Sequence, residues 1–331
     1  MEDPMTVLDE AVTERVRRLS TSAARRLIEP DTDVPGEVGP GQVLADELLS
    51  VAGLDLDLTA EQRRILSREE VASITQAGIR FEAVLEAGFA AQIATATELT
   101  DPRLTFILHE VGEETRHQRL FQRLICQLAP EAPHPIPLRF VQLGYGLTVH
   151  ATASFRAMFY ALVLVGEEIP DLFQKVASEH PDTDPFVKAI NRYHRQEEAR
   201  HLSFARAVYP EIWARAGWLD RLLVRRLVPR IARGMFELMV HPGVYAAVGL
   251  PGFRTWQAAN RTPGRLQWRR EATRPVLRAL LDAGAIDAGR VPGGWRSLCG
   301  VDRHGEPRPD LVPSWTTRTW EAAAYSKWSS S

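Results

Sequence analysis

Two short segments of this 331-residue chain carry acids and imidazoles at helical spacing. Glu114 and His117 stand three apart, and so do Glu198 and His201. Each pair therefore shares one face of a helix. His194 lies four residues before Glu198 and seven before His201. At 100° per residue these three fall within about 60° of arc. Carboxylates bridge hard cations and balance their charge. Imidazole fills the remaining coordination positions without adding charge, and it suits iron. The chemistry implied is that of a metal centre built on helices.

The two segments belong to an internal repeat. Asp101-Pro102 precedes Glu113-Glu114-Thr115-Arg116-His117, and Asp184-Pro185 precedes Glu197-Glu198-Ala199-Arg200-His201. Each is preceded in turn by a long helical stretch with its own acids. Glu167 lies 31 residues before Glu198; Glu82 lies 32 before Glu114, and Glu86 lies 28 before it. Both first-half spacings suit a helical hairpin. Glu82 and Glu86 are one turn apart, so helical phase does not separate them; Glu82 is preferred because its spacing matches the second half. Glu168 points about 100° away from Glu167, so one of that pair should ligate.

A lone Glu-x-x-His is commonplace on exposed helices. Two copies in a repeat, each with an acid about 30 residues upstream, are far more specific. Glu-x-x-His on two helices plus one Glu from each of two others is the core layout of di-iron and di-manganese carboxylate bundles. Four carboxylates neutralise two divalent ions; buried without them they would be costly. Glu113 and Glu197 are either solvated or positioned to orient the histidines. Arg116 and Arg200 are their simplest ion-pair partners.

The elements that must hold these residues read as long helices near 67–98, 102–129, 148–179, 184–208 and 211–239. The apolar spacing is three and four throughout. Breaks are expected at Asp101–Pro102, 130–137, His180–Pro181 and Tyr209–Pro210. Ser67 with Glu69–Glu70 reads as a helix start. The expectation is an all-α four-helix bundle at 67–240, an N-terminal helical extension at 1–66, and a C-terminal cover at 241–331. That cover reads as largely irregular, with one helix near 270–284. It holds Trp256, Trp268, Trp295, Trp315 and Trp320, read as packing residues. The final SKWSSS reads as mobile.

Composition sets the outer limits. Forty Lys plus Arg against 42 Asp plus Glu give a net charge of −2, which suits neither a nucleic-acid coat nor an anionic membrane. The longest apolar stretch, 157–166, is half of what a membrane span needs. Two cysteines cannot build a disulfide framework. With no secretory leader in the opening residues, a cytoplasmic enzyme is expected.

With those motifs in place, the chain resembles the AurF-like di-iron N-oxygenases, the p-aminobenzoate N-oxygenase family. The resemblance covers roughly 67–240 and rests on Glu114-x-x-His117, Glu167 and His194-x-x-x-Glu198-x-x-His201. It implies seven metal ligands: Glu82, Glu114, His117, Glu167, His194, Glu198 and His201. It also implies a ferritin-like four-helix bundle, two Fe ions (or Fe/Mn), O₂ as co-substrate, a small-molecule substrate and often a homodimer. The expected reaction is N-oxygenation of an (aryl)amine through a peroxo-diferric intermediate. An external electron donor is needed, because no flavin or iron–sulfur motif is found. Competing readings are a di-iron C–H hydroxylase or desaturase and a ferritin-like metal-handling protein.

Overall fold

The computed structural model describes residues 10–25, 27–134 and 138–308. Trp315, Trp320 and the SKWSSS tail lie outside them. The described residues are helical, with one isolated bridge, Val301 to Pro307, and no strand.

Four long helices carry the repeat. They are α3 (Ala60–Ala94), α4 (Pro102–Leu128), α6 (Arg156–Glu179) and α7 (Pro185–Arg215). Before them come α1 (Glu10–Arg25) and α2 (Pro30–Asp33), with a single 3₁₀ turn at Asp46–Leu48. Between the two hairpins lies α5 (Leu138–Ser154). The two Asp-Pro signals open α4 and α7. Asp101 accepts a hydrogen bond from the Arg103 amide, and Asp184 accepts from those of Phe186 and Val187. Each proline sits in the first turn, where no amide donor is needed.

The helix start at α3 differs from the sequence expectation. Thr59 and Gln62 form a reciprocal capping box that puts the helix cap eight residues before Ser67. Ser67 and the two acids after it are buried and bond other segments instead. Ser67 accepts from Val43, Glu69 from Glu131, and Glu70 from the Ser50 amide and hydroxyl. The helix expected over 148–179 is interrupted at Phe155, which is extended. The break expected at Tyr209–Pro210 is absent. Pro210 lies inside α7, losing one backbone bond, while buried Tyr209 and Trp213 on either side anchor the helix. The chain turns instead at Gly217, giving α8 (Trp218–Arg226) and α9 (Val228–Leu238).

The C-terminal cover is more helical than its Gly and Pro content suggests. It contains α10 (Pro242–Ala246), α11 (Gly252–Ala259), α12 (Pro263–Asp282) and α13 (Gly293–Cys299). The helix expected at 270–284 is the second half of α12, which starts earlier because Thr262 caps it. Trp295 is fully buried and its indole N–H donates to the Val224 carbonyl; Trp256 donates to Glu237. Both fit a packing role.

The core fixes where the polar layer lies. Two apolar clusters stack along the bundle. One takes Leu85 and Phe89 of α3, Phe106 and Ile107 of α4, 157–165 of α6, and Leu202 onward of α7. The other takes Leu66 to Ala72 of α3, Leu120 to Leu128 of α4, Phe173 and Ala177 of α6, and Phe186 to Tyr193 of α7. Reading along the chain, α3 and α7 cross from the second cluster to the first, and α4 and α6 cross back. The four helices are thus alternately antiparallel, and the acids and histidines occupy the crossing point on each. Helix α6 is buried on all sides from Ala157 to Ile169, as a central helix must be.

A glycine sets how closely α3 and α6 approach. A Cβ on Gly166 would stand 1.7 Å from the Phe81 ring. Phe81 precedes Glu82 and Gly166 precedes Glu167, so this contact draws the two acids together. Gly166→Ala should destabilise the protein by about 1–3 kcal/mol through overpacking. Thermal unfolding with and without added Mn²⁺ would show it, with the larger loss in the metal-loaded sample.

Candidate metal centre

All seven residues expected to ligate meet in the layer between the two clusters. Each is at most 4% exposed. Glu82, His117 and His194 form one group, and Glu114, Glu167, Glu198 and His201 a second. Within each, one potential ligand atom per residue lies within 4.8 Å of all the others. The groups adjoin through Glu198, whose carboxylate is 3.2 Å from His117 Nδ1, 3.3 Å from His194 Nε2 and 2.8 Å from His201 Nδ1.

Helical phase could not separate Glu82 from Glu86, but burial does. Glu82 is inside, with one oxygen 3.1 Å from His194. Glu86 is half-buried and accepts from the Thr115 hydroxyl. Glu168 turns away and pairs with Arg206.

The first acid of each Glu-Glu doublet holds the histidine of the other half. His117 Nε2 is 2.9 Å from Glu197, and His201 Nε2 is 2.9 Å from Glu113. Each histidine donates its Nε2–H to that carboxylate, which leaves Nδ1 as the ring atom that faces the layer. His194 is held the other way: its Nδ1 donates to Gln174 and its Nε2 faces Glu82. Arg200 bonds Glu113 at 2.9 Å, and Arg116 lies 3.8 Å from Glu197. These guanidinium groups balance the outer acids, so the inner acids keep their own charge. Glu113→Gln should weaken metal binding by about 10–100-fold while the fold persists. Metal titration together with circular dichroism would check both parts.

The donor set fits a pair of cations. Burial, and then the neighbouring Glu114, push Glu82 well above the usual carboxylate range. Burial and Glu198 do the same to Glu167. Burial works against ionised Glu198 as well, but His201 and His194 outweigh it and hold Glu198 well below that range. Oxygen atoms of Glu82 and Glu167 are buried with no hydrogen-bond donor. So many carboxylates in a dry layer need positive charge, and open oxygen and nitrogen lone pairs are where it would bind.

Sequence reasoning missed one member of this layer. Glu110 is 1% exposed, and neither of its oxygens has a hydrogen-bond partner. Burial pushes it up to about 8. It stands one turn before Glu114, and that register was its only signal.

A cavity of about 480 Å³ reaches the layer from the α3–α5 side. Glu82, Glu167 and His194 form part of its wall, with Phe81, Leu85, Phe121 and Phe173 around them. Arg80, Tyr145, His134 and His241 line it further along. Phe89, Phe159 and Tyr160 pack edge-to-face with one another in the apolar core.

The profile of the family described as p-aminobenzoate N-oxygenase AurF matches residues 9–284. The chain belongs to the AurF family. The match extends well beyond the 67–240 stretch that carries the motifs, taking in all of α1 and α12. Membership supports a di-iron oxygenase with a small-molecule substrate and a need for electrons. Among similar proteins are the uncharacterized protein Rv0885 of Mycobacterium tuberculosis and the uncharacterized protein Mb0909 of Mycobacterium bovis. Each is 26% identical over 250 residues, covering 72% of both chains. No helix among the described residues is long and apolar enough to cross a membrane.

Proposed function

We propose that the chain is an O₂-dependent oxygenase that N-oxygenates a small (aryl)amine. Two iron ions would be held by Glu82, Glu114, His117, Glu167, His194, Glu198 and His201. Bound there, they would supply the O₂-activating redox chemistry that no side chain can. Electrons come from an external donor, and the enzyme works as a cytoplasmic homodimer.

The observation that carries this reading is the shared wall. The same Glu82, Glu167 and His194 border both the polar layer and an apolar cavity of about 480 Å³. A metal-handling protein has no need of a room for an organic molecule beside its ions. The volume falls within the range of small-ligand sites. Phe81, Leu85, Phe121 and Phe173 exclude water from the wall and offer faces to an aromatic ring. Arg80 makes no ion pair with any described residue and gives the cavity a fixed positive charge.

On the chain's side, the work is orientation. Glu113 and Glu197 hold protons on the Nε2 atoms of His201 and His117, and Gln174 holds one on Nδ1 of His194. Each histidine is thereby locked in one tautomer.

The test is turnover by iron-loaded protein, with reductant and O₂, across an arylamine panel and a panel of lipids and amino acids. Hydroxylamine or nitro products from arylamines alone are expected. Oxidation confined to C–H bonds would move the enzyme to the hydroxylases. Iron uptake beyond two ions per chain, without organic product, would make it a metal handler.

A further inference from the structure

The internal repeat assigns a role to Glu110. In α7 the ligand stripe reads His194, then Glu197-Glu198, then His201. In α4 it reads Glu110, then Glu113-Glu114, then His117, with identical spacing. The structure follows the same correspondence. Glu113 and Glu197 swap across to each other's histidine. Glu82 and Glu167 sit one in each group of potential ligands, and Glu114 and Glu198 lie between the histidines. Under this two-fold relation every residue of the centre has a partner of like function. His194 alone pairs with a residue outside the seven, and that residue is Glu110.

Its surroundings agree. Glu110 is 1% exposed, and both its carboxylate oxygens lack any hydrogen-bond partner. Its strongest electrostatic neighbours are His201, Glu114 and Glu198, the members of the second group. His194 is steadied from outside by Gln174, which stands seven residues after Glu167. The position seven after Glu82 is Phe89, which is fully buried and apolar. The outer side therefore offers Glu110 no donor, and its open oxygens suit a cation on the inner side. A buried carboxylate with two unsatisfied oxygens calls for an explanation. Packing supplies none, since a leucine would fill the same space without the desolvation cost.

We propose that Glu110 is an eighth metal ligand, a carboxylate donor to the ion held by Glu167 and His201, in the place His194 takes for the ion held by Glu82 and His117. The two ions are then unlike. One is bound by two imidazoles and the other by one, with an added carboxylate. Carboxylate-rich coordination favours harder ions such as Mn²⁺.

This inference rests on the two-ion reading above, and one titration separates the failure of each. Full-length wild type, Glu110→Gln and Glu110→His would be titrated with Co²⁺, whose visible bands report coordination without turnover, and with Mn²⁺. Metal-free circular dichroism would confirm folding. Wild type should bind two Co²⁺. Glu110→Gln should keep one site and lose at least about 10-fold in affinity at the other, with changed bands and the greater loss for Mn²⁺. Glu110→His should recover the second site, since His194 shows that imidazole fits this place in the repeat. Two unchanged sites in Glu110→Gln would overturn the assignment. So would a Glu110→His protein as weak as Glu110→Gln, which would leave Glu110 only an electrostatic effect. Fewer than two Co²⁺ in wild type would overturn the two-ion reading itself.

Discussion

Replacing Glu198 by alanine will strip the protein of both metal ions and of oxygenase activity. Glu198 is the hub of the layer: its two oxygens reach His117, His194 and His201, which belong to both groups. Changing a residue that merely orients a ligand costs about 10–100-fold in affinity. Removing the residue that touches every histidine should cost more than that at each ion. The metal-free protein should suffer too. Breaking a buried ion pair by deleting one partner costs about 3–5 kcal/mol, and Glu198 is 2% exposed. The melting temperature of metal-free Glu198→Ala should therefore drop, and added Mn²⁺ should no longer raise it. Glu86→Ala is the control: half-buried and bonded to Thr115, it should leave metal content at the wild-type level.

The second large effect is on pH. Burial alone would keep His117 and His201 neutral. The hydrogen bonds that His117 donates to Glu114 and Glu197, and the charge of Glu198 beside His201, reverse that and raise both well above 6.5. Burial likewise raises Glu82 and Glu167 well above 4.5. The two histidines therefore tend to hold protons near neutrality, the two acids keep theirs to higher pH than ordinary carboxylates, and metal must displace whatever protons remain. Each displaced proton makes affinity rise about tenfold per pH unit. Between pH 6 and 8 the slope of log affinity against pH should be at least about two, with protons released on binding. The stability of the metal-free chain runs the opposite way. The raised histidines contribute stability that is complete below their unfolded value near 6.5 and is lost as pH climbs through their folded values. The metal-induced rise in melting temperature should thus grow from pH 6 to pH 8, while the metal-free melting temperature falls. A flat affinity profile would mean that the ligands are already deprotonated.

Much of this site is legible in the sequence because its constraints are local. Glu114, His117, His194, Glu198 and His201 lie on two helices, and a period of 3.6 fixes which side chains share a face. The Asp-Pro starts of α4 and α7 are equally local, since cap and first turn are set by adjacent residues. What was hidden depends on contacts between helices. Glu82 and Glu86 have the same phase, and only the packing of α3 on α4 and α6 shows which one is inside. Ser67, Glu69 and Glu70 imitate a helix start, but in the fold they bond to segments far away in the chain. Pro210 looks like a stop, yet buried Tyr209 and Trp213 outweigh one lost backbone bond. Glu110 sat in plain register with His194, and an acid in place of an imidazole concealed the match. The cavity could not have been read at all, because α5 and α9 complete it from outside the repeat.

The central claim is that one chain holds two ions in this layer, and metal analysis after anaerobic loading tests it most directly. Full-length protein would be incubated with excess Fe²⁺, freed of unbound metal and measured for iron per chain beside Glu198→Ala. Two irons per wild-type chain, and close to none in the variant, are the predicted result. A wild-type chain that retains no iron, or holds a single zinc in its place, would contradict the account.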